Sequence, residues 1–284
     1  MEPVRYAYPS VISWPTGLPR QEKARVLVEA MGIEPFAADQ MVAKPPPLII
    51  GRVPEPGGPS VLGVLRKAGV TAFAPTDSQY ATVPAAAALA KRLEAAAGAP
   101  EPMYMVEYWR ADSDGFRAKD LFLIVRARIG KMQRAVAEQA VARVNDPLMA
   151  NPYALGDIGP VMRTDITDLL DLYLRVRGED GKTTVAWRRV RIDGRKFNYD
   201  VLGKGRGMSD NVNADQLAVL LGEQAPDAII DTDFGTFQGP PWMPHFAPKP
   251  DGGPGVGTVK RDDSRLFDFY SAWSFLKFRA LLGV

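Results

Sequence analysis

Apolar residues recur at three- and four-residue intervals in the first third of the chain and at every second residue through its middle, and this change of period divides the sequence in two. From Leu18 to Met31, Val26, Leu27 and Ala30 share a helical face that follows the turn residues Pro15, Thr16 and Gly17 and stops at Gly32. A short helix is predicted over Pro35 to Val42, a strand over Pro47 to Val53, a helix over Pro59 to Ala68 and a strand over Gly69 to Ala74. Thr82 to Ala97 is alanine-rich, with Thr82 placed to cap it, Pro84 in its first turn and Gly98 behind it, which predicts a further helix. Gly98 to Pro102 then reads as a boundary.

Beyond that boundary the period is two. Met103 to Arg110 and Asp120 to Ile129 read as antiparallel strands around a turn at Asp112-Ser113-Asp114-Gly115. Leu121, Leu123, Val125, Ala127 and Ile129 share one face, opposite Arg126 and Arg128. Met132, Val136, Ala140 and Val144 recur at helical spacing, predicting a helix over 131 to 144, and Asn151 to Thr164 reads as loop. Leu170, Leu172, Leu174 and Val176 alternate with Asp171, Tyr173, Arg175 and Arg177 as in a half-buried strand, and a turn at 178 to 181 leads into a strand over Thr183 to Ile192. Asp193-Gly194 predicts a two-residue type I′ hairpin turn that pairs Val190 with Phe197 and Arg188 with Tyr199. A helix follows over Asn213 to Gln224, capped by Asn211 or Asn213.

The segment from Gln238 to Gly257 carries six prolines and five glycines and is expected to run as an extended strap. Asp262, Asp263 and Ser264 open a final helix whose acidic start and basic end, Lys277 and Arg279, suit the helix dipole. The expectation is an α+β protein with an N-terminal α/β sandwich over 1 to 98 and an antiparallel β-meander with packed helices over 99 to 237. The strap spans 238 to 261, and an amphipathic aromatic helix spans 262 to 284.

The wording Leu27-Val28-Glu29-Ala30-Met31-Gly32-Ile33, then Ala43-Lys44-Pro45-Pro46-Pro47, then Val64-Leu65-Arg66-Lys67-Ala68-Gly69-Val70 resembles the C-terminal domain of ribosomal protein L7/L12 over roughly residues 10 to 75. The resemblance implies a helix pair, a proline-containing turn, a strand, a helix ending in Ala-Gly and a last strand. It also implies a docking module. The family's charged recruiting helix corresponds to Gly58 to Ala68, where this chain has Val61, Leu62, Val64 and Leu65 with Arg66 and Lys67 as its charges.

Composition narrows the chemistry. The 284 residues include no cysteine, so disulfides, thiolate zinc sites, iron–sulfur clusters and a cysteine nucleophile are excluded. A single histidine, His245, excludes sites built on two imidazoles of one chain and leaves oxygen ligands for any metal. The net charge of +2 gives the whole molecule no strong field for nucleic acid or anionic lipid. Leu266 to Leu282 is interrupted by Asp268, Lys277 and Arg279 and falls short of a bilayer span, and the opening residues lack a signal-peptide pattern, so the expectation is a cytoplasmic protein.

Candidate chemistry is sparse. Between Arg188 and Arg206 seven basic residues face two acids, with Phe197 and Tyr199 among them. Arg189, Arg191, Lys196, Lys204 and Arg206 are therefore the candidate anion contacts, the last two within a glycine-spaced loop that frees backbone amides. The pattern assigns the aromatics to the core and the charges to a solvated face, with nucleic-acid binding as the less favoured reading. Asp231 and Asp233 are weak cation candidates, as are Asp112 and Asp114, and turn chemistry accounts for both pairs. Gly252 to Thr258 has the glycine spacing of a phosphate loop without its lysine. Phe269, Tyr270, Trp273 and Phe278 cover more than one stripe of the last helix, which predicts burial between two partners or a subunit interface. No catalytic residue and no cofactor is indicated. The function expected is docking to another protein or self-assembly, with a phosphate-binding enzyme or sensor as the rival.

Overall fold

The computed structural model describes residues 4–99, 101–110, 112–135, 161–176, 186–237, 239–240, 243, 246–248 and 259–284. In the first third, β1 (Tyr6–Ala7) and β2 (Ser10–Ser13) lead into α1 (Arg20–Met31) and α2 (Pro35–Val42). Gly32, at φ +63°, closes α1 with its N–H on the Val28 carbonyl, a left-handed position that glycine occupies without steric cost. Then come β3 (Leu48–Ile49), β4 (Val53–Pro54), α3 (Gly58–Lys67), β5 (Thr71–Phe73) and the single-turn α4 (Asp77–Tyr80). Strands β3, β2 and β5 form a small antiparallel sheet in that spatial order. One face of it meets α1 to α3 through Val11, Leu27, Leu48, Ile50, Val61 and Leu65, all buried.

The second region is one large mixed sheet. Its strands are β6 (Ala86–Ala95), β7 (Met103–Tyr108), β8 (Ser113–Arg117), β9 (Leu121–Ala135), β10 (Val161–Val176), β11 (Ala186–Asp193), β12 (Ile229–Asp231), β13 (Phe246–Pro248) and β14 (Val259–Asp262). The helices α5 (Asp210–Gln224) and α6 (Ser264–Leu282) complete the chain. Spatial order runs β13-β14-β9-β10-β11-β6-β7-β8, with β12 also on β9. Neighbours are antiparallel except β6 beside β11 and β12 beside β9. The fold is α+β, and its layers stack as α1 to α3, small sheet, α6, large sheet, α5.

Several sequence-based expectations are overturned. The alanine-rich stretch is not a helix but β6, hydrogen-bonded between β11 and β7, with Ala90 and Leu93 buried. Alanine's helix preference is worth only tenths of a kcal/mol per residue, and pairing on both edges in a covered sheet outweighs it. Thr82 ends the turn after α4 by donating to the Gln79 carbonyl, and Thr76 is the cap of α4. The proposed turn at 112 to 115 lies largely in β8. Residues 131–135 continue β9 rather than starting a helix, while 136–144 lie outside the described residues. Residues 161–164, read as loop, belong to β10. The turn at 178–181, His245 and all of 249–258 lie outside the described residues, and part of the strap is sheet, since β13 pairs β14.

The Asp-Gly hairpin is also absent. Gly194 donates to the Asp168 carbonyl and Lys196 to the Asp193 carbonyl, so the chain turns away from the sheet instead of returning along β11. The place beside β11 is taken by β6, and the segment after the turn makes a single bridge, Asn198 to Arg92. Phe197 and Tyr199 nonetheless reach the core that contains Val190 and Ile192, as expected from their side of the pattern. The cap of α5 is Ser209, which accepts from the Val212 N–H, rather than Asn211 or Asn213.

Candidate functional site

Helix α6 lies between the two sheets, and its polar residues make two closed clusters. In the first, Asp171 on β10 accepts from Arg189 at 2.5 Å, from Arg191 at 2.8 Å and from the Ser271 hydroxyl at 2.6 Å. Asp268 on α6 also binds Arg191, and the Tyr173 hydroxyl lies 2.9 Å from that of Ser271. Burial alone would raise the Asp171 pKa, but the two guanidiniums outweigh it and hold the carboxyl below its ordinary value. In the second cluster Asp231 on β12 accepts from Tyr270 at 2.5 Å, from Lys277 at 3.2 Å and from Ser274. Burial again opposes ionisation, and the Lys277 charge with the Ser274 and Tyr270 hydrogen bonds leaves Asp231 below its usual range. Ser274 and Lys277 sit one turn apart, yet both donate to the same carboxylate in a fully covered site, so the pair stores no free nucleophile.

These contacts remove Arg189 and Arg191 from the surface that the sequence assigned to them. Arg189 and Arg191 do not lie on a solvated basic face; they are covered by α6 and matched by Asp171 and Asp268, because the face that alternation assigns to solvent carries a second layer. Lys196, Lys204 and Arg206 are exposed on the α5 side, where Arg206 pairs with Asp200 at 2.8 Å. Asp231 is buried on the α6 side, so the loop cations and this aspartate are separated by the large sheet. Asp233 is exposed, and its backbone N–H donates to Asp231 at 3.0 Å, as turn chemistry requires. Asp114 is ion-paired with Arg188. Among the described residues no group of carboxylates and histidine is arranged to hold a metal.

The aromatic candidates on α6 turn out to be internal. Of the two alternatives, burial between layers or a subunit interface, Tyr270 and Trp273 take the first, being fully buried within the chain, while Phe269 and Phe278 are half-buried. Trp273 donates to the Ser10 hydroxyl at 3.1 Å and packs 5.4 Å from Phe73, both in the small sheet. Phe269 stacks on Tyr80 at 5.3 Å, and Phe278 lies under the Lys277 ammonium at 4.1 Å. Lys277 is thus an ion-pair partner of Asp231 rather than a dipole cap.

A cleft of about 460 Å³ lies at the seam where the N-terminal layer meets the end of α6. Leu62 and Arg66, one turn apart on α3, form one wall, and Leu276, Arg279 and Ala280 on α6 form the other. Phe73, Ala74 and Pro75 make the floor, and Gln79 and Thr82 close one end. No residue lining the cleft is an aspartate or glutamate. The Arg279 guanidinium lies 5.3 Å from the Trp187 ring and 5.5 Å from Phe275, with its Nε 3.1 Å from the Val284 carbonyl, so one cation is fixed in place. Arg66 is exposed. Leu281 and Leu282, 48% and 55% exposed, lie on the last turn of α6 outside the lining of the cleft. Sequence reasoning missed this site because its two walls lie more than two hundred residues apart; the one local trace was the pair Leu62 and Arg66 on a helix otherwise short of charge.

The chain matches no protein-family model, no curated protein and no solved structure.

Proposed function

We propose that this protein is a non-catalytic docking or assembly protein whose N-terminal layer and final helix together present a partner-binding cleft. The observation that carries the reading is the seam cleft itself, an opening whose lining combines Leu62, Phe73, Pro75 and Leu276 with the two arginines Arg66 and Arg279. The strand–helix–helix–strand–helix–strand order of β2, α1, α2, β3, α3 and β5 supports a module of the ribosomal L7/L12 C-terminal type, with α3 on the binding side as the resemblance implies. The closed state of the Asp171 and Asp231 clusters favours docking over catalysis, since their polar atoms are committed to holding α6. No helix among the described residues is long and apolar enough to cross a membrane.

The test is site-specific crosslinking in the source cell. A photoreactive side chain at Leu62 should capture a defined partner at physiological salt, and the same group at exposed Lys196 should not. Equal labelling from both positions, or none from Leu62, rejects the reading.

A further inference from the structure

We infer that the ion pair of Arg188 and Asp114 guards the free edge of the large sheet, and that once the pair is removed β8 joins antiparallel to β8 of a second copy of this chain. The inference uses no residue of the seam cleft and does not depend on the docking reading. β8 is the last strand in the spatial order, with β7 as its one strand neighbour among the described residues. The Tyr108 N–H donates to the Asp112 carbonyl at 3.1 Å and the Ala118 N–H to the Pro102 carbonyl at 2.8 Å, and between them the register pairs Val106 with Asp114 and Tyr104 with Phe116. Residues 112, 114, 116 and 118 therefore direct their backbone groups toward β7, and Ser113, Gly115 and Arg117 direct theirs outward.

An outward row of N–H and C=O groups is a template for another strand. At its centre this row is already occupied. The Gly115 N–H donates to the Asp114 carboxylate at 2.7 Å, the Gly115 carbonyl accepts from the Arg188 guanidinium at 3.1 Å, and that guanidinium is ion-paired with the same carboxylate. A carboxylate and a guanidinium thus stand where an added strand would bring its own C=O and N–H. The opposite edge needs no such pair, because β13 is three residues long and ends in Pro248, which has no N–H to offer. β8 has five residues and no proline.

The occupant is a second copy because the outward pattern complements itself. Turned about a two-fold axis through Gly115, Ser113 lies opposite Arg117, Asp114 opposite Phe116 and Gly115 opposite its own counterpart. Each N–H then meets a C=O, and no like charges stand directly opposed. Gly115 also leaves the axis free of side chains.

Sedimentation velocity of the full chain over a range of concentrations tests the proposal. Arg188→Met removes the donor and the counter-charge, and Asp114→Ala removes the acceptor. Each should raise the self-association constant about tenfold over the parent, since backbone groups held within the chain become free to bond across the edge. Adding Ser113→Pro to Arg188→Met should reverse the gain, because it deletes an outward N–H and none that bonds to β7. Circular dichroism of each variant separates association from unfolding. Hydrogen exchange on the parent needs no variant: the Gly115 amide should exchange more slowly than those of Ser113 and Arg117, which share its outward direction.

Folded variants that associate no more than the parent overturn the inference. So does a gain in association that survives Ser113→Pro, since the contact would then lie elsewhere than on β8. If neither single variant folds, exchange decides: a Gly115 amide as fast as its two outward neighbours overturns the guard, and a protected one upholds it.

Discussion

The two faces of the large sheet are held to their covering helices in different ways. Toward α5, Leu170, Leu172, Leu174, Val190 and Ile192 meet Ala214, Leu217, Ala218 and Leu221, an aliphatic contact with one polar link at its border, where Arg126 of β9 pairs with Asp215 and donates to Asn211 at 3.0 Å. Toward α6, the same strands present Asp171, Tyr173, Arg189 and Arg191, which meet Ser271 and Asp268 beneath a layer of aromatic rings. Aliphatic contact is non-directional and tolerates small displacements. Ion pairs with fixed hydrogen-bond geometry do not, so they set the rotation and register of α6 while its rings supply the burial. That precision has a use: α6 also carries one wall of the seam cleft, and a helix turned by one residue would carry Arg279 and Leu276 away from α3.

The comparison is broken most severely by removing one partner of the buried cluster. Asp171→Ala leaves Arg189 and Arg191 covered and without their carboxylate, and should destabilise the protein by about 3–5 kcal/mol, read as a lower urea midpoint. On the α5 face Leu217→Ala removes a fully buried side chain and should cost about 2–5 kcal/mol, whereas Leu217→Met should cost less than about 1.5 kcal/mol. The contrast sharpens if Asp171→Asn, which keeps shape but loses charge, also displaces α6: such a variant should weaken binding at the seam cleft, while Leu217→Met should leave it unchanged.

Acidity distinguishes the faces next. Asp171 and Asp231 titrate below their ordinary values when folded, so their stabilising contribution is complete above the unfolded value of about 3.9 and is lost as pH falls through the lower folded values. Melting temperature should drop as pH falls below about 4, and Asp171→Asn should flatten that dependence. A parent profile identical to that of Asp171→Asn would show that the α6 face is not held by charge.

The smallest effect belongs to the turn that leaves β11. A Cβ at Gly194 would lie 3.0 Å from the Asp168 carbonyl oxygen and 3.0 Å from the Tyr199 hydroxyl. Gly194→Ala should therefore cost about 1 kcal/mol by crowding rather than by backbone strain, since Gly194 is not among the glycines with positive φ. Melting within a degree of the parent would show that this corner yields without cost.

How much of this was legible in the chain depends on how local each cause is. Helices α1, α2, α3, α5 and α6 follow from apolar spacing, Gly32 and the aspartates before Ser264, because a helix closes its hydrogen bonds within its own segment. The aromatic sweep from Phe267 to Phe278 also announced that α6 is covered on more than one side. Strand β6 was not legible, since the groups that make it a strand belong to β7 and β11, and no property of an alanine-rich run specifies those partners. Nor could Asp193-Gly194 reveal that β6, not the next residues in sequence, would occupy the edge of β11. The alternation in β10 correctly separated Leu170 and Leu172 from Asp171 and Tyr173, and a period of two carries that much. It cannot say whether the polar side meets water or a helix bearing the complementary charge. That outcome, and with it the seam cleft, was decided only when distant segments packed together, because burial and ion pairing depend on what lies opposite a residue rather than on what lies beside it in the chain.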